Sequence, residues 1–499
     1  MKKILTTEKL KALKKLKKKI VLCHGVFDLV HSGHIKYFQE AKKRGDILIV
    51  SATDDKFVNK GPGRPLFKIN DRIAVLNSVE HIDYLHISKN FTCENVLNYI
   101  KPNIYCKGKD YKNKLSKDKN LKKEIGILKK NKGKFVIIDQ LLKSSSNVIN
   151  KSNLLFDDNT NIFLNKIKKK YSLPKIINEL NKLKNLSVFV LGEIIVDEYI
   201  FTEAVGKSGK ESMLVLEKKS ENKFLGGAGY TANLLSNFVK KIRLCSFVGT
   251  DKKEVNFIKK KINNKILFNY FTKTNTTNFS KSRFVDLYSK NKIIGVYKLN
   301  DEEISKKQEK LFINGINKFA KKYDVIVVSD YGHGVFTNLV RKTIQKYSNK
   351  LFLNTQINSF NRGYHTLFKY KNLNTLVINE SELRYELRDK KSELKFLAKE
   401  ISKKLNVKNV IITRGRFGAQ LYKNNKIIES PAFNLNTLDT MGAGDTFLSL
   451  IAICLKSKMD IDLSMLIASL GASHSTQKIG HSDILTLDHI ERSLNYLFK

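Results

Sequence analysis

The chain has 499 residues, too many for one ordinary hydrophobic core, so two or three domains are expected. Its 41% hydrophobic content excludes a wholly disordered protein, and no run of about eighteen apolar residues offers a membrane span. The net charge of +45 points to nucleic acid, but only 12 of the 92 basic residues are Arg, the side chain suited to bidentate recognition of bases and phosphates. The lysines are spread along the whole sequence, which reads as solvated faces rather than a dedicated binding surface.

The N-terminal stretch to Lys19 is lysine-rich and amphipathic, without the apolar core or cleavage site of a signal peptide. Five scattered cysteines (Cys23, Cys93, Cys106, Cys245, Cys454) never form a C-x-x-C pair, which fits neither a disulfide framework nor a zinc site and suits a reducing cytoplasm. From Ile20 on, short apolar runs at 20–23, 47–50, 84–87, 104–106 and 135–138 alternate with helical patterns near 34–44, 70–79, 92–100 and 118–130. This rhythm predicts an α/β fold, a Rossmann-like doubly wound domain over 18–150 that binds its ligand beyond the carboxyl ends of the strands.

The segment Gly25-Val26-Phe27-Asp28-Leu29-Val30-His31-Ser32-Gly33-His34 lies between a predicted strand and a predicted helix. A helix N-terminus offers free N–H groups to phosphate, and His31 and His34 are placed to stabilise charge as pyrophosphate leaves. Asp28 and Cys23 read as structural. The segment resembles nucleotidyltransferases of the H-x-G-H class, in particular the adenylyltransferase half of the bifunctional heptose-phosphate kinase/adenylyltransferases. The resemblance extends through Lys60-Gly61, Gly63-Arg64-Pro65, the Asp71–Leu76 stretch, Lys107–Tyr111 and Ser144–Ile149. It implies catalytic roles for His31 and His34. Nucleotide or phosphate contacts are implied for Gly25, Phe27, Gly33, Lys60, Arg72, Lys107, Gly108, Asp110, Ser144, Ser145 and Ser146. Three serines where that family commonly has a threonine keep the chemistry and leave individual roles open, including that of an ordinary helix cap.

Residues 151–185, rich in Lys and Asn, read as a connecting helix plus linker. A second α/β domain, 186–499, opens at the apolar run 186–192. Near its end stands Asp439-Thr440-Met441-Gly442-Ala443-Gly444-Asp445, where small residues at a helix start admit a phosphoryl group and Asp445 can accept a proton from an attacking hydroxyl. This pattern resembles the second signature of ribokinase-type (PfkB) carbohydrate kinases, an α/β fold with a small β lid. Gly226-Gly227-Ala228-Gly229, Ser329-Asp330-Tyr331-Gly332, Asn379-Glu380-Ser381-Glu382 and Thr413-Arg414-Gly415 follow that family's order. The resemblance implies Asp445 as base, phosphate contacts from Gly442, Ala443, Gly444 and Arg414, and sugar contacts from Asp197, Gly226 and Gly227. Asn379 and Glu382 would organise Mg2+ through water. Lys281 and Arg283, in an alternating stretch, are either sugar-phosphate contacts or an exposed strand edge.

Two departures stand out. The bifunctional heptose enzymes place the kinase first, the reverse of the order here, and heptose kinases carry Asp-Pro-Lys where this chain has Asn354-Thr355-Gln356. The expectation is a cytoplasmic enzyme that phosphorylates a sugar or sugar phosphate with Mg–ATP and then couples the sugar 1-phosphate to a nucleotide. Its partners would be small molecules, and a homo-oligomer is compatible with the sequence. A CTP-dependent transferase of a polyol phosphate fused to another carbohydrate kinase is the alternative. A basic nucleic-acid-binding protein on degenerate enzyme domains is the third reading.

Overall fold

The computed structural model describes residues 3–58, 64–109, 111, 118–138, 156–274, 276, 278–357, 361–433 and 437–498. The chain divides into two units, Met1–Leu155 with a few C-terminal residues and Phe156–Leu494 with Phe498.

The first unit is built on five parallel strands, β1 (Ile20–Gly25), β2 (Ile47–Thr53), β3 (Tyr84–Ser88), β4 (Ile104–Gly108) and β5 (Lys134–Ile138), in the order β3-β2-β1-β4-β5. Strand residues alternate between two cores. Val21, Cys23 and Val50 join Tyr37 and Phe38 of the helix Ser32–Lys42 on one face. Leu22 and Ile49 join Leu97 and Ile100 of the helix Glu94–Ile100 on the other. The order reverses at β1, with β2 and β4 as its neighbours, so the loop after β1 leaves the sheet at its switch point. The lysine-rich stretch ahead of Lys19, outside the domain bounds expected from sequence, forms a helix Thr7–Lys15 capped by Thr6. Its Leu10 and Leu13 are buried in the second of these cores, and ahead of it the Leu5 N–H donates to Leu85 of β3, whose own N–H donates to the Lys3 carbonyl.

The second unit has a nine-stranded sheet of β6 (Ser187–Gly192), β9 (Lys241–Val248), β10 (Ile266–Thr272), β13 (Val325–Asp330), β14 (Leu351–Thr355), β15 (Leu373–Asn379), β16 (Val407–Thr413), β17 (Ala419–Lys423) and β18 (Lys426–Ser430). The order is β10-β9-β6-β13-β14-β15-β16-β17-β18, antiparallel only at its last two pairings. A smaller sheet, β12 (Lys292–Lys298), β11 (Ser280–Asp286), β7 (Ile194–Lys207) and β8 (Leu214–Gly226), is paired in that order. The helices Gly227–Leu235, Ala443–Lys456 and Ile461–Thr476 are apolar on nearly all sides because they are enclosed. Part of the expected linker forms two helices, Asp158–Lys170 and Leu173–Lys182, that belong to this unit. Phe163 packs on Phe433, and Lys166 pairs with Asp462 at 2.8 Å.

Candidate active sites

In the first unit His31 precedes the helix Ser32–Lys42 in extended conformation and caps it: its Nδ1 accepts the Gly33 N–H at 3.0 Å. His34 Nδ1 faces the His31 N–H at 3.4 Å. A nitrogen that accepts a hydrogen bond carries no proton, so both neutral rings hold theirs on Nε2. Two imidazoles whose centroids lie 4.2 Å apart thus stand together at a helix N-terminus, where the helix dipole favours an anion.

The neighbours predicted to touch nucleotide divide. Gly25 ends β1, and Lys107 is buried on β4, its ammonium 3.3 Å from the His24 carbonyl and over the Tyr111 ring; Gly108 ends β4. Phe27 is a core residue set edge-on to His34 at 5.8 Å, so it supports the histidine rather than walling a ligand. Arg72 is corrected outright. At 1% exposure it donates to the carbonyls of Phe67, Val26 and Thr53 and pairs with Asp55 at 2.6 Å, which leaves no guanidinium face for phosphate. It fastens the loop after β1 to the end of β2. Asp28 does similar work from the other side, pairing with Arg64 and accepting the Leu66 and Phe67 N–H groups at 2.9 Å each. Lys60, Asp110, Ser144, Ser145 and Ser146 lie outside the described residues.

In the second unit a cavity of about 440 Å³ lies where several strands of the large sheet end. Its floor is the start of the helix Ala443–Lys456. Gly442 takes φ +76°, and a Cβ there would sit 2.2 Å from the His481 ring, so both conformation and space require glycine. No side chain caps this helix, and while the Ala443 N–H reaches the Thr440 carbonyl at 3.4 Å, the next N–H groups, of Gly444 and Asp445, stand at residues that line the cavity. Asp445 lines the same floor and accepts the Tyr331 hydroxyl at 2.8 Å. Burial pushes its pKa up to about 6, with the Tyr331 hydrogen bond opposing. If proton acceptance by Asp445 limits the kinase, kcat/KM should fall about tenfold per pH unit below about 6 and level off above it. A pH profile measured with the kinase substrate tests this.

The small sheet supplies the opposite wall. Asp197 on β7 pairs with Arg283 on β11 at 2.6 Å, and Lys281 lines the cavity beneath the Tyr331 ring. Lys281 and Arg283 are buried because β11 lies between β12 and β7, so they do not form an exposed strand edge. Gly226 meets Asp197 so closely that a Cβ would come 2.0 Å from Asp197 Oδ2. Gly226→Ala should therefore displace the Asp197–Arg283 pair and raise KM for the sugar by on the order of tenfold, about 1.4 kcal/mol. Initial rates over a sugar titration measure it.

Asn379 and Glu382 form a reciprocal cap. Asn379 Oδ1 accepts the Ser381 N–H at 2.8 Å, and Glu382 accepts the N–H groups of Asn379 and Ile357 at 3.1 and 3.3 Å. Both line the cavity, and burial pushes Glu382 up to about 7. A carboxylate with half its acceptor positions taken by backbone suits contact with a metal-bound water better than direct ligation, which fits Mg2+ with its retained water shell. Arg414 pairs through Nε with Glu380 at 3.1 Å, and Arg416, two residues on, lines the cavity.

Several cavity or supporting residues take roles that the sequence reading did not assign. Asp439 ties the signature turn, accepting from Tyr199 at 2.6 Å, Gly480 N–H at 3.0 Å, Met441 N–H at 3.1 Å and Lys292 at 2.7 Å. Glu193 accepts the Tyr331 and His333 N–H groups, which sets Tyr331 against Asp445. His481 stacks on Tyr230 at 3.8 Å and faces Asp197. Asn354 and Gln356, the departure from Asp-Pro-Lys, also stand in the cavity wall.

A buried carboxylate beside an open helix N-terminus, facing a polar wall carried by a small sheet, defines an α/β small-molecule kinase. Residues 185–487 match the pfkB family carbohydrate kinase model, more than half of the chain, and the protein belongs to that family. Residues 22–209 match a cytidylyltransferase-like model, so a domain of that kind precedes the kinase. The bifunctional protein HldE of Aliarcobacter butzleri (strain RM4018) is 28% identical over 314 residues, 62% of this chain and 64% of that protein. HldE of Pseudomonas syringae pv. tomato is 42% identical over 97 residues, 19% of this chain and 20% of that protein. The matches thus span less than two thirds of these relatives' length. Phosphofructokinase-2 from Escherichia coli, in complex with potassium, shares the fold with a TM-score of 0.50 and 13% identity, over 63% of this chain and all of that one. No described helix is long and apolar enough to cross a membrane.

Proposed function

We propose that the chain makes a nucleotide-activated sugar in the cytoplasm, the kinase unit phosphorylating a sugar phosphate at its anomeric hydroxyl and the first unit joining the product to a nucleotide. The division of labour falls near residue 155. The observation that carries the kinase half is Asp445 at the cavity floor, hydrogen-bonded to Tyr331 and set at the uncapped helix start. There it takes the hydroxyl proton while the first-turn N–H groups of Gly442–Gly444 hold the transferring phosphoryl of ATP. Asp197, oriented by Arg283, accepts from sugar hydroxyls, and Lys281 supplies positive charge to a sugar-borne phosphate. Glu382 and Asn379 would hold Mg2+ through water, and the ion would supply charge neutralisation for the phosphates.

The motif resemblance to bifunctional heptose-phosphate kinase/adenylyltransferases, alongside the similarity to the bifunctional protein HldE, supports a heptose phosphate as substrate and ATP as donor to both units, with an ADP-sugar as product. Asn354 and Gln356 in the cavity wall, replacing a charged pair, favour a relaxed or shifted sugar preference. A substrate screen of the purified protein that follows ADP formation and pyrophosphate release separately tests both halves. Turnover only with CTP and a polyol phosphate in the second assay would overturn the ADP-sugar reading.

A further inference from the structure

Outside the catalytic cavity three potential ligands converge: His474 in the last turn of the helix Ile461–Thr476, Asp483 in the loop that follows, and His489 in the first turn of the helix Leu487–Leu497. One ligand atom from each lies within 4.8 Å of the others. The imidazoles are stacked with centroids 4.4 Å apart and an interplanar angle of 25°. His474 Nε2 is buried, makes no hydrogen bond, and stops 3.6 Å from Asp483 Oδ2. A stacked pair that served packing alone would leave that buried nitrogen without a hydrogen bond, which is costly. His489 Nδ1 accepts the Thr486 N–H at 3.2 Å and lies 3.2 Å from the Thr486 hydroxyl, so ligation through Nε2 needs the ring to turn until that hydroxyl takes the Nδ1 proton, the outer hydrogen bond that orients a metal-binding histidine.

We propose that His474, Asp483 and His489 bind a zinc-type divalent cation at a site separate from the kinase cavity. Two imidazoles and one carboxylate are the ligand set of borderline d-block ions, whereas Ca2+ and Mg2+ prefer all-oxygen shells. Tetrahedral ligation at ~2.0–2.1 Å puts ligand atoms ~3.4 Å apart, so side-chain rotations of about an ångström close the site around an ion, with water as fourth ligand. The loop spanned by these ligands carries Gly480, whose N–H binds Asp439, and His481, which lines the cavity. A bound ion would pin that loop between two helices and stabilise the signature turn.

The test uses the full chain, stripped of metal and titrated with Zn2+ by calorimetry and with Co2+ by visible absorption. The expected result is one tight equivalent and the intense d–d bands of low-coordinate Co2+. His474→Ala and His489→Gln should each weaken binding by ~100-fold or more, and Asp483→Asn by ~10-fold. The helix-start variant His489→Gln, checked by circular dichroism, guards against a fold defect in His474→Ala. Absence of a stoichiometric Zn2+ equivalent, or folded His489→Gln binding Zn2+ and Co2+ as the parent does, would overturn the proposal.

Discussion

Asp445→Asn is expected to lower the kinase kcat by roughly a thousandfold, the scale of losing a general base together with its alignment of the attack. The substitution preserves shape, and the amide oxygen can still accept the Tyr331 hydroxyl that now sits 2.8 Å from Asp445. What it cannot do is take a proton. KM for the sugar should change little, because Asp197, Arg283 and Lys281 remain. Nucleotidyl transfer to a supplied sugar 1-phosphate should be untouched, since that chemistry belongs to the other unit. Kinase activity within about tenfold of the parent would remove Asp445 from the role of base.

The same variant has a second readout with a definite sign. Burial raises the Asp445 pKa from 3.8 to about 6, so the folded chain binds this proton more tightly than the unfolded chain does. The stabilisation that goes with the neutral carboxyl is present at low pH and is lost as pH rises through about 6. Ionised Asp445 therefore costs the native state up to ~3 kcal/mol at pH 7–8, because each tenfold difference in proton affinity between the folded and unfolded chains is worth about 1.4 kcal/mol. Asp445→Asn removes that cost, so the inactive variant should unfold a few degrees higher at pH 8. The gain should shrink towards pH 4–5, where the parent's carboxyl is neutral as well. Calorimetric scans at the two pH values check this.

Long apolar runs and two signature loops made much of this architecture legible. Parallel strands buried on both faces are continuous in Val, Ile and Leu, so β1, β2, β6, β13 and β16 announce themselves. The glycines around Asp445 and the histidine pair also read directly, because their chemistry is local to one strand–helix junction. What did not read was the aim of long side chains. Arg72 has suitable charge near its site, but its guanidinium is taken by Asp55 and backbone carbonyls, and Arg414 spends its Nε on Glu380. Arg416 reaches the cavity from two residues further on. Whether Lys281 and Arg283 sat on an edge depended on β12 pairing outside β11, which alternation alone cannot express. His481, Tyr331 and Asp439 come together only through contacts over tens to more than a hundred residues of sequence. The helix Thr7–Lys15 was hidden by its lysines, although Leu10 and Leu13, three apart, mark its buried stripe.

For the first unit the largest expected effect falls on the histidine pair. His31→Ala should reduce nucleotidyl transfer by about a hundredfold, the scale of losing one preorganised donor to a charged transition state. It also removes a helix cap, since His31 Nδ1 accepts the Gly33 N–H, and that costs about 1 kcal/mol of stability. The two losses can be separated. Asn is a good cap whose oxygen can take the Gly33 N–H, but it is too short to place a donor where His31 Nε2 lies. His31→Asn should thus recover most of the stability and none of the rate. His34→Gln should likewise lose about a hundredfold, because a flexible amide does not reproduce an imidazole held against Phe27 and Phe38. Kinase turnover should be nearly unchanged in all three variants. Pyrophosphate release at the parental rate in folded His31→Asn and His34→Gln would show that the histidines only build the helix start.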